Sequence, residues 1–184
     1  MLRWLDIVFS LMGLVLASPV MGLLFLLGLL DTGSPLFRQQ RVGRDQAPFI
    51  LVKFRTMKPE TQSVATHLAN PSAVTAFGAF LRRTKLDELP QLWNVLKGEM
   101  SLVGPRPCLF NQQELMAERA AMGVFAVRPG ITGLAQIRGI DMSTPRLLAE
   151  TDAQMLSQLS VKTYLHLVLQ TVLGKVQGDR VKNT

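Results

Sequence analysis

The feature that most constrains the fold is a run of 24 uncharged, mostly apolar residues that extends from Ile7 to Leu30. As an α-helix this run would be roughly 36 Å long, which is enough to cross a bilayer. A cleaved signal peptide has a much shorter apolar core and a small-residue cleavage site, whereas Asp31-Thr-Gly-Ser-Pro35 has the composition of a turn. The sequence therefore predicts a membrane-inserted helix in residues 1–33 and a second domain in residues 34–184.

Two details of this run argue against an ordinary straight span. Ser18-Pro19 lies at its middle, where a proline removes a backbone hydrogen bond and clashes with the preceding turn. Basic residues also flank both ends, with Arg3 before the run and Arg38, Arg41 and Arg44 after it, although the positive-inside rule favours one cytoplasmic side. A re-entrant helix hairpin that enters and leaves through the same leaflet accounts for both observations, and a kinked single span is the alternative.

The charge of the chain indicates anionic partners. Its 184 residues include 20 Lys and Arg against 13 Asp and Glu, for a formal net charge of +7. Nucleic acid, anionic lipid and phosphorylated small molecules are all compatible with that balance. The single cysteine, Cys108, excludes an internal disulfide and a zinc site built from several cysteines.

A basic β-hairpin is predicted directly after the apolar run. Residues 36–42 and 48–54 have the pattern of two short strands, and the polar residues 43–46 form the turn between them. Residues 36–58 carry six basic residues and one acid, a stretch that we call the basic segment. This segment is either a solvated hairpin edge or a surface that faces lipid headgroups or a diphosphate, and the polar residues 59–76 predict a loop.

The chemically most suggestive motif is the acid pair Asp87-Glu88. Five basic residues surround it in residues 81–107, namely Arg82, Arg83, Lys85, Lys97 and Arg106. Adjacent carboxylates within a cationic stretch indicate a phosphate site, in which one acid reacts, the other holds a metal and the bases neutralise phosphate oxygens. The alternative is an amphipathic helix with a solvated charged face.

Pro90 restricts the helix that carries this pair. Because proline is tolerated only in the first turn, the helix is predicted to begin at Asp87 or Glu88 and to end before Gly98. Its apolar stripe would consist of Leu89, Leu92, Trp93 and Leu96. In that position the helix dipole would keep the Asp87 carboxylate ionised, as a nucleophile requires.

Further elements are predicted on either side of the pair. A short helix begins near Ala76, and Asn111 with Glu114 resembles a capping box for a helix that ends near Met122. Residues 128–133 have the pattern of a turn, and Ser143-Thr144-Pro145 is a typical helix start. Residues 164–176 predict an apolar helix that is either buried or lies in the membrane interface. The fold class is therefore α+β and mainly helical, with a short β-hairpin and amphipathic interfacial helices.

With these residues in view, the chain resembles the bacterial sugar transferases of the monotopic polyprenyl-phosphate phosphoglycosyl transferase family. The resemblance extends over nearly the whole chain in ordered blocks. These blocks are the apolar segment with Ser18-Pro19, Phe37–Gly43, Lys53–Met57, Leu81–Thr84, Leu86–Leu92, Asn94–Gly98, Met100–Pro107 and Arg128–Gly133.

The resemblance implies a reaction and the residues that perform it. Members of this family transfer a sugar 1-phosphate from a nucleotide diphosphate sugar, usually UDP-linked, to polyprenyl phosphate in a ping-pong cycle. Asp87 corresponds to the aspartate that forms the phosphosugar ester, and Glu88 corresponds to the glutamate that helps to hold Mg²⁺. The re-entrant hairpin corresponds to the family's membrane anchor, which implies a catalytic domain on the cytoplasmic face of the bacterial inner membrane.

Several residues become candidates for substrate binding. Arg106 lies between two prolines and can present a bidentate guanidinium to phosphate. Lys53, Arg55 and Arg128 are further candidates for phosphate contacts. Gln136, Arg138 and Asp152 complete the set of predicted substrate-binding residues.

Part of the sequence departs from the family pattern. Several members have Asn-Gly-Arg after an Ala-Gln pair, whereas here Gln136 is followed by Ile137-Arg138-Gly139-Ile140-Asp141. Ile140 occupies the position of the expected arginine, and this region concerns the contacts with the nucleotide sugar. A Glu-Leu-Asp of some members occurs here as Glu150-Thr151-Asp152, so that Asp152 is a candidate for binding or for structural support.

A second class of function remains compatible with the charge and the anchor. A non-catalytic membrane adaptor could bind anionic lipid through the basic segment, but it would not explain an acid pair within a cationic stretch. Nucleic-acid binding is disfavoured because no recognition module is evident in the sequence and aromatic residues are few. The expected partners are therefore a nucleotide sugar, polyprenyl phosphate and membrane lipids.

Overall fold

A computed structural model describes residues 2–61 and 71–173. The described residues form seven α-helices, which are α1 (Arg3–Thr32), α2 (Ala76–Thr84), α3 (Gln91–Lys97), α4 (Gln113–Ala121), α5 (Leu134–Ile137), α6 (Pro145–Ser157) and α7 (Val161–Val172). They also form two strand pairs, the antiparallel β1 (Leu36–Val42) with β2 (Pro48–Phe54) and the parallel β3 (Ser101–Val103) with β4 (Gly130–Thr132). The predicted mainly helical α+β class is confirmed.

Helix α1 is long and apolar enough to cross a membrane by length and composition. It is one helix of 30 residues with Pro19 inside it, so the predicted break at Ser18-Pro19 is not an interruption of the helix. The Ser18 hydroxyl donates to the Val15 carbonyl oxygen at 2.8 Å, a bond that serines beside membrane prolines commonly form. Large apolar side chains along its middle, such as Leu11, Val15 and Leu16, are exposed to solvent in the isolated chain.

The N-terminal end of α1 is fastened to the remainder of the fold through a buried carboxylate. Asp6 accepts hydrogen bonds from the Ser101 hydroxyl at 2.8 Å, the Leu102 backbone N–H at 2.9 Å and the Tyr164 hydroxyl at 2.7 Å. Arg3 donates to the Val95 carbonyl oxygen at 2.7 Å, near the C-terminus of α3, where such oxygens lack partners within the helix. Burial, together with the bond to Asp6, raises the pKa of Tyr164.

We expect the Asp6 contacts to contribute measurably to stability. Tyr164→Phe removes one hydrogen bond to a charged acceptor and should lower the free energy of unfolding by about 1.5–3 kcal/mol. Asp6→Ala should cost more, because it leaves several buried donors without an acceptor. Urea titration in detergent micelles measures both, with Asp31→Ala at the exposed end of α1 as the control, since Asp31 accepts a hydrogen bond from the Thr75 hydroxyl at an exposed position. Equal stabilities of Asp6→Ala and Asp31→Ala would contradict this account.

The C-terminal end of α1 packs against the same body of structure. Leu24 is buried in a cluster with Phe54 of β2 and Leu81 of α2. Gly28 lies against Pro35, and a Cβ at position 28 would come within 2.9 Å of the proline side chain. Both ends of α1 therefore contact the domain that carries the acid pair.

The predicted hairpin is confirmed with its bounds. Strands β1 and β2 pair from Leu36 opposite Phe54 to Val42 opposite Pro48. The basic segment that contains them divides into two groups. Arg41, Lys53 and Arg55 are buried or half-buried, whereas its other three basic residues, Arg38, Arg44 and Lys58, are exposed.

The helix after the acid pair begins later than predicted. Lys85 adopts a left-handed conformation with φ of 61° and ends α2, and residues 86–88 then form a single 3-10 turn. Helix α3 starts at Gln91 with Pro90 as its N-cap, so the predicted start at Asp87 or Glu88 is wrong. The physical reason is that the left-handed residue turns the chain just before the pair.

The predicted apolar stripe is confirmed for Leu89 and Leu92, which are partly buried against the core, but not for Trp93 of α3. Its buried residues are Gln91, Asn94 and Val95, whereas Trp93 is 57% exposed. The Asn94 amide donates to the Ile50 carbonyl oxygen at 2.7 Å and accepts from the Val52 N–H at 3.1 Å. Because tertiary hydrogen bonds satisfy this polar side chain, it can be buried in place of an apolar one.

A parallel strand pair replaces the turn predicted at residues 128–133. Strand β4 lies beside β3, and Gly104 and Gly130 approach so closely that a Cβ on either would clash with the backbone of the other. The Gly130 N–H donates to the Pro105 carbonyl oxygen at 2.8 Å. Such a pair depends on contacts between distant residues, which a local pattern does not reveal.

The C-terminal helices largely follow the prediction. Gln112, not Asn111, is the N-cap of α4, and its side chain accepts from the Leu109 N–H, so the predicted capping box is wrong. Helix α6 begins at Pro145 as predicted. Helix α7 begins at Val161 and buries Tyr164 and Leu167, while its opposite face is exposed and apolar, with Leu165 and Leu169. Residues 174–176 of that predicted helix and 62–70 of the predicted loop lie outside the described residues.

Candidate active site

The acid pair lies where the hairpin, α2 and α3 meet. Asp87 is buried and Glu88 is half-buried on the 3-10 turn of residues 86–88. Strand β2 packs against this turn and brings Lys53 close to Asp87. The structure therefore places the pair inside a pocket of protein atoms and excludes a solvated helix face.

The surroundings of Asp87 act in opposite directions on its ionisation. Burial and the adjacent Glu88 raise the pKa of Asp87, while Lys53, Lys85 and Arg82 lower it, and the net shift is upward. The prediction that a helix dipole lowers this pKa is wrong, because Asp87 precedes α3 by several residues. The carboxylate instead depends on the neighbouring cations for its ionisation.

Lys53 is the basic residue most affected by this site. Burial lowers the pKa of Lys53 to about 8, with a smaller opposing effect from Asp87 and further lowering by Arg82, Arg41 and Arg106. Its ammonium group also lies 5.6 Å from the centroid of the Phe37 ring. Lys53 is thus a half-buried cation held close to the predicted nucleophile.

Arg106 connects Glu88 to the loop between β3 and α4. Its Nη1 lies 3.2 Å from Glu88 Oε1, with both side chains mostly buried. The Arg106 backbone oxygen accepts from Arg119 Nη1 at 2.8 Å, and the next carbonyl oxygen, that of Pro107, accepts from Arg41 Nη1 at 3.1 Å. Two buried arginines therefore hold the segment that presents the Arg106 guanidinium.

Asp152 supports this arrangement from α6. It forms a buried ion pair with Arg119, in which Asp152 Oδ2 accepts from Nη2 at 2.7 Å and from Nε at 3.0 Å. Burial raises the pKa of Asp152, and Arg119 partly opposes that shift. Through Arg119, Asp152 acts on the backbone of Arg106, which agrees with the structural role that the sequence left open.

Three other predicted phosphate or sugar contacts have partners elsewhere in the fold. Arg55 Nε donates to the Ser34 carbonyl oxygen at 2.8 Å, at the C-terminal end of α1. Arg128 Nε donates to the Gly98 carbonyl oxygen at 2.7 Å, and exposed Arg138 Nη1 donates to Gln154 at 3.1 Å. These hydrogen bonds tie the three side chains to other parts of the fold, and Arg55 also lies 5.5 Å from the centroid of the Phe37 ring that Lys53 contacts.

A cavity of about 600 Å³ opens beside Glu88. Its walls are mostly apolar and come from α1, β3, β4, α5 and α7, while Lys85, Glu88 and Arg106 form one polar side. Gln136 lines this cavity, and its buried Oε1 has no hydrogen-bond partner within residues 2–61 and 71–173. Its size is typical of a small-molecule site.

Sequence reasoning missed two residues that position the site. Asn94 ties α3 to β2 on either side of Leu51, close to Lys53, and Arg119 holds the Arg106 backbone. An asparagine between apolar residues of a short helix was the available signal for Asn94. Arg119 had no such signal, since an arginine in an amphipathic helix is normally exposed.

Comparison with known proteins agrees with this geometry. The family model described as bacterial sugar transferase matches residues 1–178. The chain belongs to the bacterial sugar transferase family. A UDP-glucose:undecaprenyl-phosphate glucose-1-phosphate transferase of Caulobacter vibrioides is 37% identical over 189 residues, which cover 96% of this chain and 70% of that relative.

Other relatives of this bacterial sugar transferase are longer proteins. The protein of the same name from Escherichia coli is 42% identical over 91% of this chain and 38% of its own length. An undecaprenyl-phosphate galactose phosphotransferase of Salmonella typhimurium is 41% identical over 74% of this chain and 32% of its own length. The chain thus spans about a third of the length of several curated relatives that it matches.

The donor set of this transferase fits a magnesium ion that also binds substrate. The described residues contain no group of three or more His, Cys, Asp or Glu side chains placed to hold a metal. Mg²⁺ is commonly bound by only one or two carboxylates together with phosphate oxygens and water. Glu88 provides one such carboxylate beside the predicted nucleophile Asp87.

Proposed function

We propose that this chain transfers a sugar 1-phosphate from a UDP-linked sugar to polyprenyl phosphate, with UMP as the other product. The observation that carries the proposal is the buried Asp87, surrounded by Lys53, Lys85 and Arg82 and adjacent to the Glu88–Arg106 pair. The names of the Caulobacter and E. coli relatives state the same class of donor, acceptor and transferred group. The reaction would initiate the assembly of a membrane glycoconjugate.

Two displacements at one phosphorus atom account for the reaction. A carboxylate oxygen of Asp87 attacks the sugar-bearing phosphate, and the bond to the UMP oxygen breaks, so that UMP leaves with the electron pair. A phosphate oxygen of the polyprenyl phosphate then attacks the same phosphorus, and the aspartyl ester bond breaks to restore the carboxylate. The products are UMP and the polyprenyl diphosphate sugar.

The basic residues perform the electrostatic part of this reaction. Phosphoryl transfer depends mainly on positioning and on stabilising the charge of the non-bridging oxygens. We assign Lys53 to the donor phosphates because its charge interacts with the Asp87 carboxylate that attacks them. The fixed backbone of Arg106 reduces the freedom that its guanidinium loses when it binds phosphate.

The acceptor and the product imply a site at the membrane surface. The exposed apolar face of α7 and the exposed Trp93 fit the interface of a bilayer, where tryptophan and amphipathic helices are favoured. We place the catalytic domain, residues 34–184, on the cytoplasmic face of the bacterial inner membrane, where nucleotide sugars are available. Residues 1–33 form the anchor.

We propose a re-entrant topology for the continuous helix α1 on the basis of contacts at its two ends. Arg3 and Asp6 at one end and Leu24 and Gly28 at the other pack against one domain, so both ends belong on one side of the membrane. Cysteines introduced for Trp4 and Asp31 should react with an impermeant maleimide from the cytoplasmic side only, like a control cysteine for Asp45. Buried Cys108, whose pKa is raised by burial, gives little background. Labelling of the two ends of α1 from opposite sides of the membrane would refute the re-entrant topology.

The activity is tested by screening UDP-sugars for UMP release with polyprenyl phosphate and Mg²⁺ present. Release that depends on both substrates, with formation of a lipid-linked sugar, supports the proposal. Binding to anionic vesicles without UMP release from any donor of the panel would favour the adaptor that the basic segment also permits.

Glu88 is the residue proposed to hold Mg²⁺, which would supply positive charge to the phosphate oxygens of the substrate. We expect Glu88→Gln to raise the Mg²⁺ concentration needed for half-maximal activity by about tenfold or more, since loss of one charged ligand weakens such a site. Glu150→Gln, which changes an exposed carboxylate paired with Arg146, serves as the control. An unchanged Mg²⁺ response of Glu88→Gln would exclude Glu88 as a ligand.

The pH profile should report on Lys53 and Asp87. Activity should rise with pH as Asp87 ionises, then fall above pH 8 as Lys53, whose pKa is lowered to about 8, loses its charge. The alkaline decline in kcat/KM approaches about tenfold per pH unit for a single ionisation. Lys53→Arg should remove that decline because a guanidinium stays charged, whereas exposed Lys58→Arg should retain it. An alkaline limb that persists in Lys53→Arg would exclude Lys53 as its source.

A further inference from the structure

The two acids of the pair face different surroundings. Asp87 lies among Lys53 and Arg82, on the side of the hairpin and α2. Glu88 instead lines the cavity, together with Lys85 and Arg106. The cationic cluster and the apolar cavity therefore meet at the acid pair.

One wall of the cavity is the N-terminal half of α1. Phe9, Met12, Gly13 and Leu16 line it, and their spacing puts them on one face of the helix. Neighbouring residues of α1, such as Leu11, are exposed and apolar. The cavity wall is thus continuous with the surface that the anchor presents to the bilayer.

The other walls are mostly apolar, and their polar residues are Thr132, Gln136, Asp141 and Thr171. Leu102 of β3 and Ile131 of β4 contribute from the strand pair, and Val168 and Val172 contribute from α7. A nucleotide sugar would place most of its polar surface against apolar walls, which costs free energy wherever those groups find no partner. An anionic amphiphile matches both the apolar walls and the basic side of the cavity. Its chain can lie along the walls, and its phosphate can lie beside Lys85 and Arg106.

We propose that this cavity binds the phosphate-proximal isoprene units of the polyprenyl phosphate, so that α1 is part of the acceptor site as well as an anchor. The inference rests on the proposed function. The donor diphosphate then belongs to the cationic side, near Lys53 and Arg82, and the acceptor reaches the reacting phosphate from the side of Glu88. Continuity of the wall with the exposed face of α1 provides the path from the bilayer.

A glycine in the wall supplies the test. Gly13 lines the cavity, and a Cβ there would lie 3.0 Å from the flexible Leu92 side chain. Gly22 lies on the same helix, and a Cβ there meets nothing within 4 Å. Gly13→Leu should fill the cavity, and Gly22→Leu is the matched control.

The probe is a short prenyl phosphate that carries a diazirine, crosslinked to the full chain in nanodiscs. Labelling of α1 and α7 should fall by at least about tenfold in Gly13→Leu, as expected when added side-chain atoms crowd a filled site, and should be unchanged in Gly22→Leu. Polyprenyl phosphate should compete with the probe, whereas neutral polyprenol should compete at least about tenfold less well, because it lacks the charge that Lys85 and Arg106 attract. Equal labelling of the two variants, or equal competition by a bilayer phospholipid, would overturn the proposal.

A second pair of variants acts from the opposite wall. Val168→Phe projects into the cavity from α7, while Leu169→Phe changes the exposed face of the same helix. Val168→Phe should raise the KM for polyprenyl phosphate without changing the burst of UMP release measured before acceptor is added. Unchanged KM values in both Gly13→Leu and Val168→Phe would refute the subsite. Crosslinking needs no turnover, so a lack of UMP release by the wild type would count against the proposed function alone.

Discussion

Asp87→Asn should lower the rate of UMP release by at least about 10³-fold, because loss of a catalytic nucleophile removes the covalent route altogether. The amide has nearly the size and shape of the carboxylate, so the packing of this buried residue is kept. Initial rates with the preferred UDP-sugar and polyprenyl phosphate measure the effect. Trapping of labelled sugar phosphate on the protein should disappear in parallel.

Asp45→Asn provides a control with the same chemical change at an exposed position. Asp45 lies in the hairpin turn with φ of 54°, a left-handed conformation that asparagine also adopts readily. Its substitution should leave the rate within about twofold of the wild type. Normal turnover by Asp87→Asn would show that another group attacks the phosphate.

Asp152→Ala should destabilise the protein by about 3–5 kcal/mol, since removal of one member of a buried ion pair leaves the other charge without compensation. Arg119 is 2% exposed and Asp152 is fully buried, with their nearest atoms 2.7 Å apart. Urea titration in detergent micelles gives the free energy of unfolding. Because Arg119 also holds the Arg106 backbone, the variant should lose activity at denaturant concentrations at which it is still folded.

Helix α6, which carries Asp152, also carries an ion pair at the surface. Arg146 and Glu150 lie one turn apart on α6, with side chains 77% and 48% exposed. Glu150→Ala should cost no more than about 0.5 kcal/mol, as is usual for exposed pairs. Similar losses in Asp152→Ala and Glu150→Ala would contradict the role given to burial.

The elements that were predicted well have strong local patterns. The apolar run of α1 and the bounds of β1 and β2 follow from hydropathy and turn residues within a few positions. The start of α6 at Pro145 follows from the conformational limits of proline. In each case the signal lies within the element itself.

The errors arose where distant contacts decide the local structure. A left-handed Lys85 displaced the start of α3, and hydrogen bonds to β2 buried Asn94 where Trp93 was expected. Strand β4 formed where a turn was predicted, since its partner is β3. The positioning role of Arg119 also depends on residues of two other elements.

By itself, the sequence determined that an acid pair lies in a cationic segment that follows a long apolar helix and a basic hairpin, since these properties depend on residues close together in the chain. Only the tertiary structure decided that Asp87 is buried with a raised pKa, that Glu88 instead faces an apolar cavity, and that both ends of α1 contact one domain. Burial and electrostatic environment are set by groups from all sides of a residue, and most of those groups are remote in sequence.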